Sequence, residues 1–143
     1  MSRFQQLALL AWVVVAMVLL PHTVHSQQTP PSIEWQKSLG GLDGAYSIAQ
    51  TRDGGYIVAG FSESPDGDVA GHHGETAWPN YWIVKLTSSG KIEWEKSLGG
   101  SGWDYAHSIV QASDGGYIVA GFSLSPDGDV TGNHGGMDYW IVK

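Results

Sequence analysis

The chain has 143 residues, room for one modest domain, with seven Lys or Arg against fourteen Asp or Glu and a net charge of −7. An acidic chain with scattered bases excludes nucleic acid as a partner, because nothing would displace counterions from phosphates. It has no cysteine, which excludes a disulfide scaffold and lipid attachment through a cysteine.

The N-terminus has the layout of a secretory signal peptide. Arg3 supplies a positive start, Leu7 to Leu20 is an apolar run of 14 residues, Pro21 breaks it, and Val24-His25-Ser26 suits a cleavage site. The reading is a signal peptide over 1–26, cut between Ser26 and Gln27, with 27–32 as a linker. An uncleaved anchor is the rival reading, but a spanning helix needs about 20 apolar residues. No stable membrane span is therefore expected after cleavage, and the protein is expected to be secreted or held at the cell surface. The cleaved chain keeps six Lys or Arg against fourteen Asp or Glu, a net charge of −8.

From Ile33 onward the chain repeats itself. Ile33-Glu34-Trp35-Gln36-Lys37-Ser38-Leu39-Gly40-Gly41 returns 59 residues later at Ile92 to Gly100. Asp53 to Ser62 returns at Asp114 to Ser123, and Tyr81-Trp82-Ile83-Val84-Lys85 returns at Tyr139 to Lys143. Repeat 1 is 33–91 and repeat 2, incomplete, is 92–143. Length changes between the copies fall near Ser101-Gly102 and Trp78-Pro79, where surface loops belong.

Each unit holds about four strand candidates. In the second unit, Ile92 to Leu98 alternates in the manner of a half-exposed strand, and Ala106 to Ala112 follows. Tyr117 to Phe122 is a nearly continuous apolar run that reads as a strand buried on both faces, and Tyr139 to Val142 is the last. Ser113-Asp114-Gly115-Gly116 reads as a hairpin turn, and Thr87-Ser88-Ser89-Gly90-Lys91 as the connection between units. No stretch beyond the leader has helical periodicity. The expected fold is all-β, made of tandem four-stranded antiparallel repeats like β-propeller blades; a solenoid or stacked sandwich is the competing architecture. A ring takes about four to eight blades. Two units therefore predict either part of a larger array or self-association through exposed strand edges.

These motifs, Trp-x-Lys-Ser-Leu-Gly-Gly, Asp-Gly-Gly-Tyr-Ile-Val-Ala-Gly, Asp-Gly-Asp-Val-x-Gly-x-His-Gly and Tyr-Trp-Ile-Val-Lys, resemble those of a family of secreted bacterial repeat proteins. The resemblance covers Ile33 to Lys143. It implies a propeller-like array on an exported or cell-surface protein, and some members of that family are labelled endoglucanases.

One loop carries a metal-binding pattern. Asp127, Asp129, Thr131, Gly132, Asn133 and Asp138 fall at positions 1, 3, 5, 6, 7 and 12 of the calcium-loop template. Alternate oxygens of a tight loop can turn inward, glycine permits the sharp bend, and a later acid closes the shell. The first copy keeps only Asp66, Asp68 and Gly71, with Ala70, His72 and Ala77 at the other positions. Calcium is therefore expected to favour the second loop, and Asp129→Ala to weaken it more than Asp68→Ala. The alternative is a turn-rich connection whose aspartates accept backbone N–H groups. A softer metal at His72, His73 or His134 would lack the usual ligand spacing.

Catalytic constellations are absent from the sequence pattern. A glycosidase needs two carboxylates facing each other across a cleft. Glu34 and Glu93 qualify only by type, while Asp53 and Asp114 serve turns. No Gly-x-Ser-x-Gly motif occurs. His107 lies near Asp104 and Ser108, but neighbours on a strand diverge to opposite faces. Trp35, Trp82, Trp94 and Trp140 recur in register and are expected in the core. Trp78 and Trp103 recur only as other residues and lie in loops, so they are the candidate ligand-binding aromatics.

The leading expectation is a non-catalytic extracellular scaffold or binding module that meets protein or glycan. The alternatives are an accessory region of a secreted, endoglucanase-like enzyme and a purely structural, calcium-stabilised array.

Overall fold

Two Asp-Gly-Gly turns set the frame of the structure, a computed structural model that describes residues 29–65, 67–74 and 78–143. The expected signal peptide and the calcium-template positions Asp66 and Ala77 lie outside those residues. In the first turn Thr51 N donates to Gly55 O at 2.9 Å and Gly54 N to Thr51 O at 2.9 Å, while Asp53 Oδ1 accepts Gly55 N at 2.9 Å. Gly54 holds φ of 82° there, a conformation a side chain would strain. The second turn copies it: Ala112 N to Gly116 O at 2.8 Å, with Asp114 Oδ1 accepting Gly116 N at 3.1 Å. Each turn joins the first two strands of a sheet.

Among the described residues every regular element is a strand. Residues 29–32 belong to an N-terminal unit separate from Ile33–Lys143. In the larger unit, β1 (Asp43–Gln50), β2 (Tyr56–Ser62), β3 (Asn80–Leu86) and β4 (Ile92–Leu98) form one antiparallel sheet in sequence order. A second antiparallel sheet contains β5 (Asp104–Gln111), β6 (Tyr117–Ser123) and β7 (Asp138–Val142). The registers correspond: Gly60 faces Trp82 in the first sheet as Gly121 faces Trp140 in the second. Both sheets bulge at the same place, between Ala45 and Ser47 and between Ala106 and Ser108. The bulged residues Tyr46 and His107 stack on each other with ring centres 5.0 Å apart.

Alternation gives each sheet two apolar faces. Ile57, Ala59, Tyr81 and Ile83 form what we call the tyrosine face of the first sheet. It packs against Ala106, Ile109, Val119 and Trp140 on the tryptophan face of the second. Tyr81 Oη crosses this interface to donate to Trp140 O at 2.9 Å, and its ring lies 4.6 Å from that of Trp140. The first sheet's own tryptophan face, with Trp82, Val84 and Leu86, is covered by Val69, Trp35 and Leu39.

Three expectations need correction. Ile33–Leu39 has nearly the sequence of β4 but forms no strand; it lies over the tryptophan face of the first sheet instead. β6 is not buried on both faces, since Ile118 is exposed, whereas its counterpart β2 has Ile57 fully buried. The difference is that the second sheet covers β2 and nothing described covers the outer side of β6. Trp94 is exposed rather than in the core, and its ring tilts against Tyr117 at 5.8 Å.

Candidate functional site

The loops gather at one end of the sheets around a buried carboxylate, Asp104. Its Oδ2 accepts Gly100 N at 3.0 Å and Ser125 Oγ at 2.8 Å. Ser125 in turn accepts Gly102 N at 2.8 Å, and Ser123 Oγ accepts Ser125 N at 3.0 Å. Asp104 and both serines are fully buried. Burial pushes the Asp104 carboxyl above its ordinary range; hydrogen bonds from Ser123, Ser125 and Gly100 pull it back in part, and the nearby Asp127 charge adds to the rise.

The residues of the calcium template arrive at the same end, and their positions follow from the turn chemistry. Asp127 accepts Ser101 N at 2.7 Å and Ser101 Oγ at 2.9 Å. Asp129 accepts Gly99 N at 3.2 Å and pairs with His73 Nε2 at 3.1 Å. Asp138 accepts His134 N at 2.7 Å, and Asn133 Oδ1 accepts Gly135 N at 2.6 Å. Thr131, Asn133 and Asp138 line one cavity of about 240 Å³, which does not include Asp127 or Asp129. Among the described residues no three His, Asp or Glu side chains are grouped to hold a metal ion. In the first loop Asp68 is exposed. The carboxylates thus fasten the second loop to the Gly99–Ser101 corner, a role that backbone N–H groups support without an ion.

The two loop tryptophans also come to this end. Asp104 N donates to Pro79 O at 2.7 Å and Leu124 N to Trp103 O at 2.8 Å, so the segments carrying Trp78 and Trp103 run side by side. Both tryptophans are exposed. Pro79 and Asn80 are buried, and Asn80 Oδ1 accepts His73 N at 2.7 Å, which anchors the strand next to Trp78. Sequence reading found the two aromatics but could not place them together.

Of the carboxylates considered for hydrolysis, Glu93 and Asp53 are held by one lysine and Asp114 by another. Glu93 pairs with the buried ammonium of Lys85, which also meets Asp53 at 2.9 Å. Burial alone would lower the Lys85 pKa, but Glu93 and Asp53 outweigh it and hold the value above normal. Asp53 lies well below the usual carboxylate range, chiefly through the Thr51 hydroxyl and next through Lys85. Glu34 is exposed on the segment over the first sheet. His107 stacks on Tyr46 in an exposed position while Asp104 is buried, so the two do not form a relay.

No protein-family model matches the chain, and comparison with curated proteins gives no match. Among the described residues no helix is long and apolar enough to cross a membrane.

Proposed function

We propose that this is a non-catalytic, extracellular repeat module of β-propeller-like build whose loop end binds a glycan or protein through Trp78 and Trp103. The observation that carries the reading is the hydrogen bond between Asp104 N and Pro79 O, which sets two exposed tryptophans on adjacent, anchored segments. Aromatic rings on a firm base can stack on a sugar ring or anchor a partner at low entropic cost. Support for the propeller-like build comes from two sheets with corresponding registers, stacked tyrosine face to tryptophan face. Export is supported by the leader pattern in the sequence.

Binding to a glycan array and to extracellular matrix proteins tests the proposal. Trp78→Ala and Trp103→Ala should each weaken retention about tenfold, the scale of one lost aromatic contact, without changing the melting temperature. Undiminished binding by the double variant would sink the assignment. Release of reducing sugar from a soluble polysaccharide would replace it with the enzymatic reading.

A further inference from the structure

The interface between the two sheets is a worked example of how a tyrosine face is covered, and the same face is open on the second sheet. Tyr81 is 0% exposed, yet its repeat counterpart Tyr139 is 96% exposed; Ile83 is 5% exposed and its counterpart Ile141 67%. The complementary half is also incomplete. Ile109 on the second sheet's tryptophan face is 3% exposed, whereas its counterpart Ile48 on the first sheet is 62% exposed. One chain thus leaves open the tyrosine half of an interface that it has already made once, and at the other end of the stack it covers the tryptophan half only in part, with Val69, Trp35 and Leu39 over Trp82, Val84 and Leu86 while Ile48 stays exposed. The open tyrosine face, with Ile118, Ala120, Phe122, Tyr139 and Ile141, is apolar beyond what an isolated surface strand needs.

We infer that the occupant is a second copy of this chain, docked head to tail, with its first sheet's tryptophan face on the open tyrosine face. The contact repeats the internal one: Tyr139 of one copy would meet Trp82 of the next, as Tyr81 meets Trp140. Gly121 leaves room for the Tyr81 hydroxyl, since a Cβ there would come within 2.6 Å of it. Gly60 stands at the corresponding place on the first sheet, where the three atoms nearest an added Cβ are backbone of Gly44 and Ala45.

The segment Ile33–Leu39 links docking to strand exchange. It lies where the neighbouring copy's tyrosine face must sit, so docking displaces it. It also nearly matches β4, which pairs with β3 through Tyr81–Leu98, Ile83–Lys96 and Lys85–Trp94. Transferred to β7, the outer strand of the second sheet, that register opposes Tyr139 to Leu39, Ile141 to Lys37 and Lys143 to Trp35 of the second copy. The ion pairing agrees. Lys143 already meets Asp114 as Lys85 meets Asp53, and Glu34 of the incoming segment corresponds to Glu93, the other carboxylate on Lys85. An edge strand and a segment with its partner's sequence are a standing invitation to pair. Because the two surfaces differ, the contact is heterologous and continues until the rotation between sheets closes a ring.

The absence of cysteine makes the test clean. Lys37→Cys and Ile141→Cys are introduced together into the full chain, which is oxidised and run on a non-reducing gel. Directly opposed residues of an antiparallel pair have Cα atoms about 4.5–5.5 Å apart, within disulfide range. The expected result is a ladder of covalent multiples extending beyond the dimer, with each single-cysteine variant monomeric. Tyr139→Arg should abolish the ladder and weaken association by sedimentation about thirtyfold or more, the loss of a central aromatic anchor. Its melting temperature at concentrations where the wild type is monomeric should not change. A monomer at all concentrations, or association indifferent to Tyr139→Arg, overturns the inference. A closed ring of three or four copies, giving about six to eight sheets, supports both this assembly and the propeller-like reading. An open filament supports the assembly and counts against the propeller.

Discussion

Gly121→Ala should destabilise the protein by roughly 3 kcal/mol, the upper range for forcing one extra methyl into a packed interior. A Cβ at that position would lie 1.9 Å from Tyr105 O and 2.6 Å from the Tyr81 hydroxyl. The first neighbour is backbone of β5 and cannot swing aside. The second holds Tyr81 to Trp140 O across the two sheets. The methyl must therefore part β5 from β6 or push the sheets apart, and either motion opens the main core. Gly60→Ala makes the first clash, 1.8 Å from Gly44 O, and the three atoms nearest its Cβ are all backbone of Gly44 and Ala45. Comparing the two isolates the inter-sheet part. Tyr81→Phe alone should cost about 1 kcal/mol, the net value of a hydrogen bond, but should cost less in the Gly121→Ala background. Chemical denaturation of the four proteins measures that coupling. Additivity would mean that the sheets accommodate the methyl without moving the tyrosine.

These glycines show where sequence reading stops. A glycine inside a strand run marks a close backbone approach, but nothing in Ala-Gly-Phe-Ser says what approaches. The strands themselves were legible because alternation and the Asp-Gly-Gly turns are local. β4 and β7 lie within a residue of their expected limits, and β5 and β6 within two. Ile33–Leu39 was not legible for the opposite reason. It differs from β4 at one residue of seven, yet β4 has β3 beside it and Ile33–Leu39 has no strand partner among the described residues. Strand formation depends on the neighbour as much as on the residues. At the loop end, the spacing of Asp127, Asp129 and Asp138 was readable, but their hydrogen-bond partners were not. Asp127 reaches Ser101 and Asp129 reaches Gly99, contacts between residues 26 and 30 positions apart. The bulged pair Tyr46 and His107 left no signal in the alternation pattern.

Asp104 was read in the sequence only as a residue near His107, and the structure makes it the centre of the loop end. Asp104→Ala should lower stability by roughly 2 kcal/mol, with a fall of about 10 °C in melting temperature for a domain of this size. Two effects oppose each other. Removing a buried charge relieves its desolvation cost, which is what raises its pKa. Against that, Gly100 N–H and the Ser125 hydroxyl lose their acceptor in a site without access to solvent. An orphaned buried donor costs about 1–3 kcal/mol, and there are two of them, so the loss exceeds the relief. Asp104→Asn separates the terms. Its amide oxygen can still accept both donors while the charge is gone, so the loss should be under half that of alanine. The pH profile gives the sign. A carboxyl whose folded pKa is raised contributes stability that is fully present below its unfolded value near 4 and is lost as pH rises through the folded value. Wild-type stability should therefore carry a falling component from about pH 4 upward, and that component should vanish in Asp104→Asn. An unchanged pH profile in the asparagine variant would show that the carboxylate is satisfied as fully when charged as when neutral, and that its buried neighbours Gly100, Ser123 and Ser125, rather than its protonation, hold the corner in place.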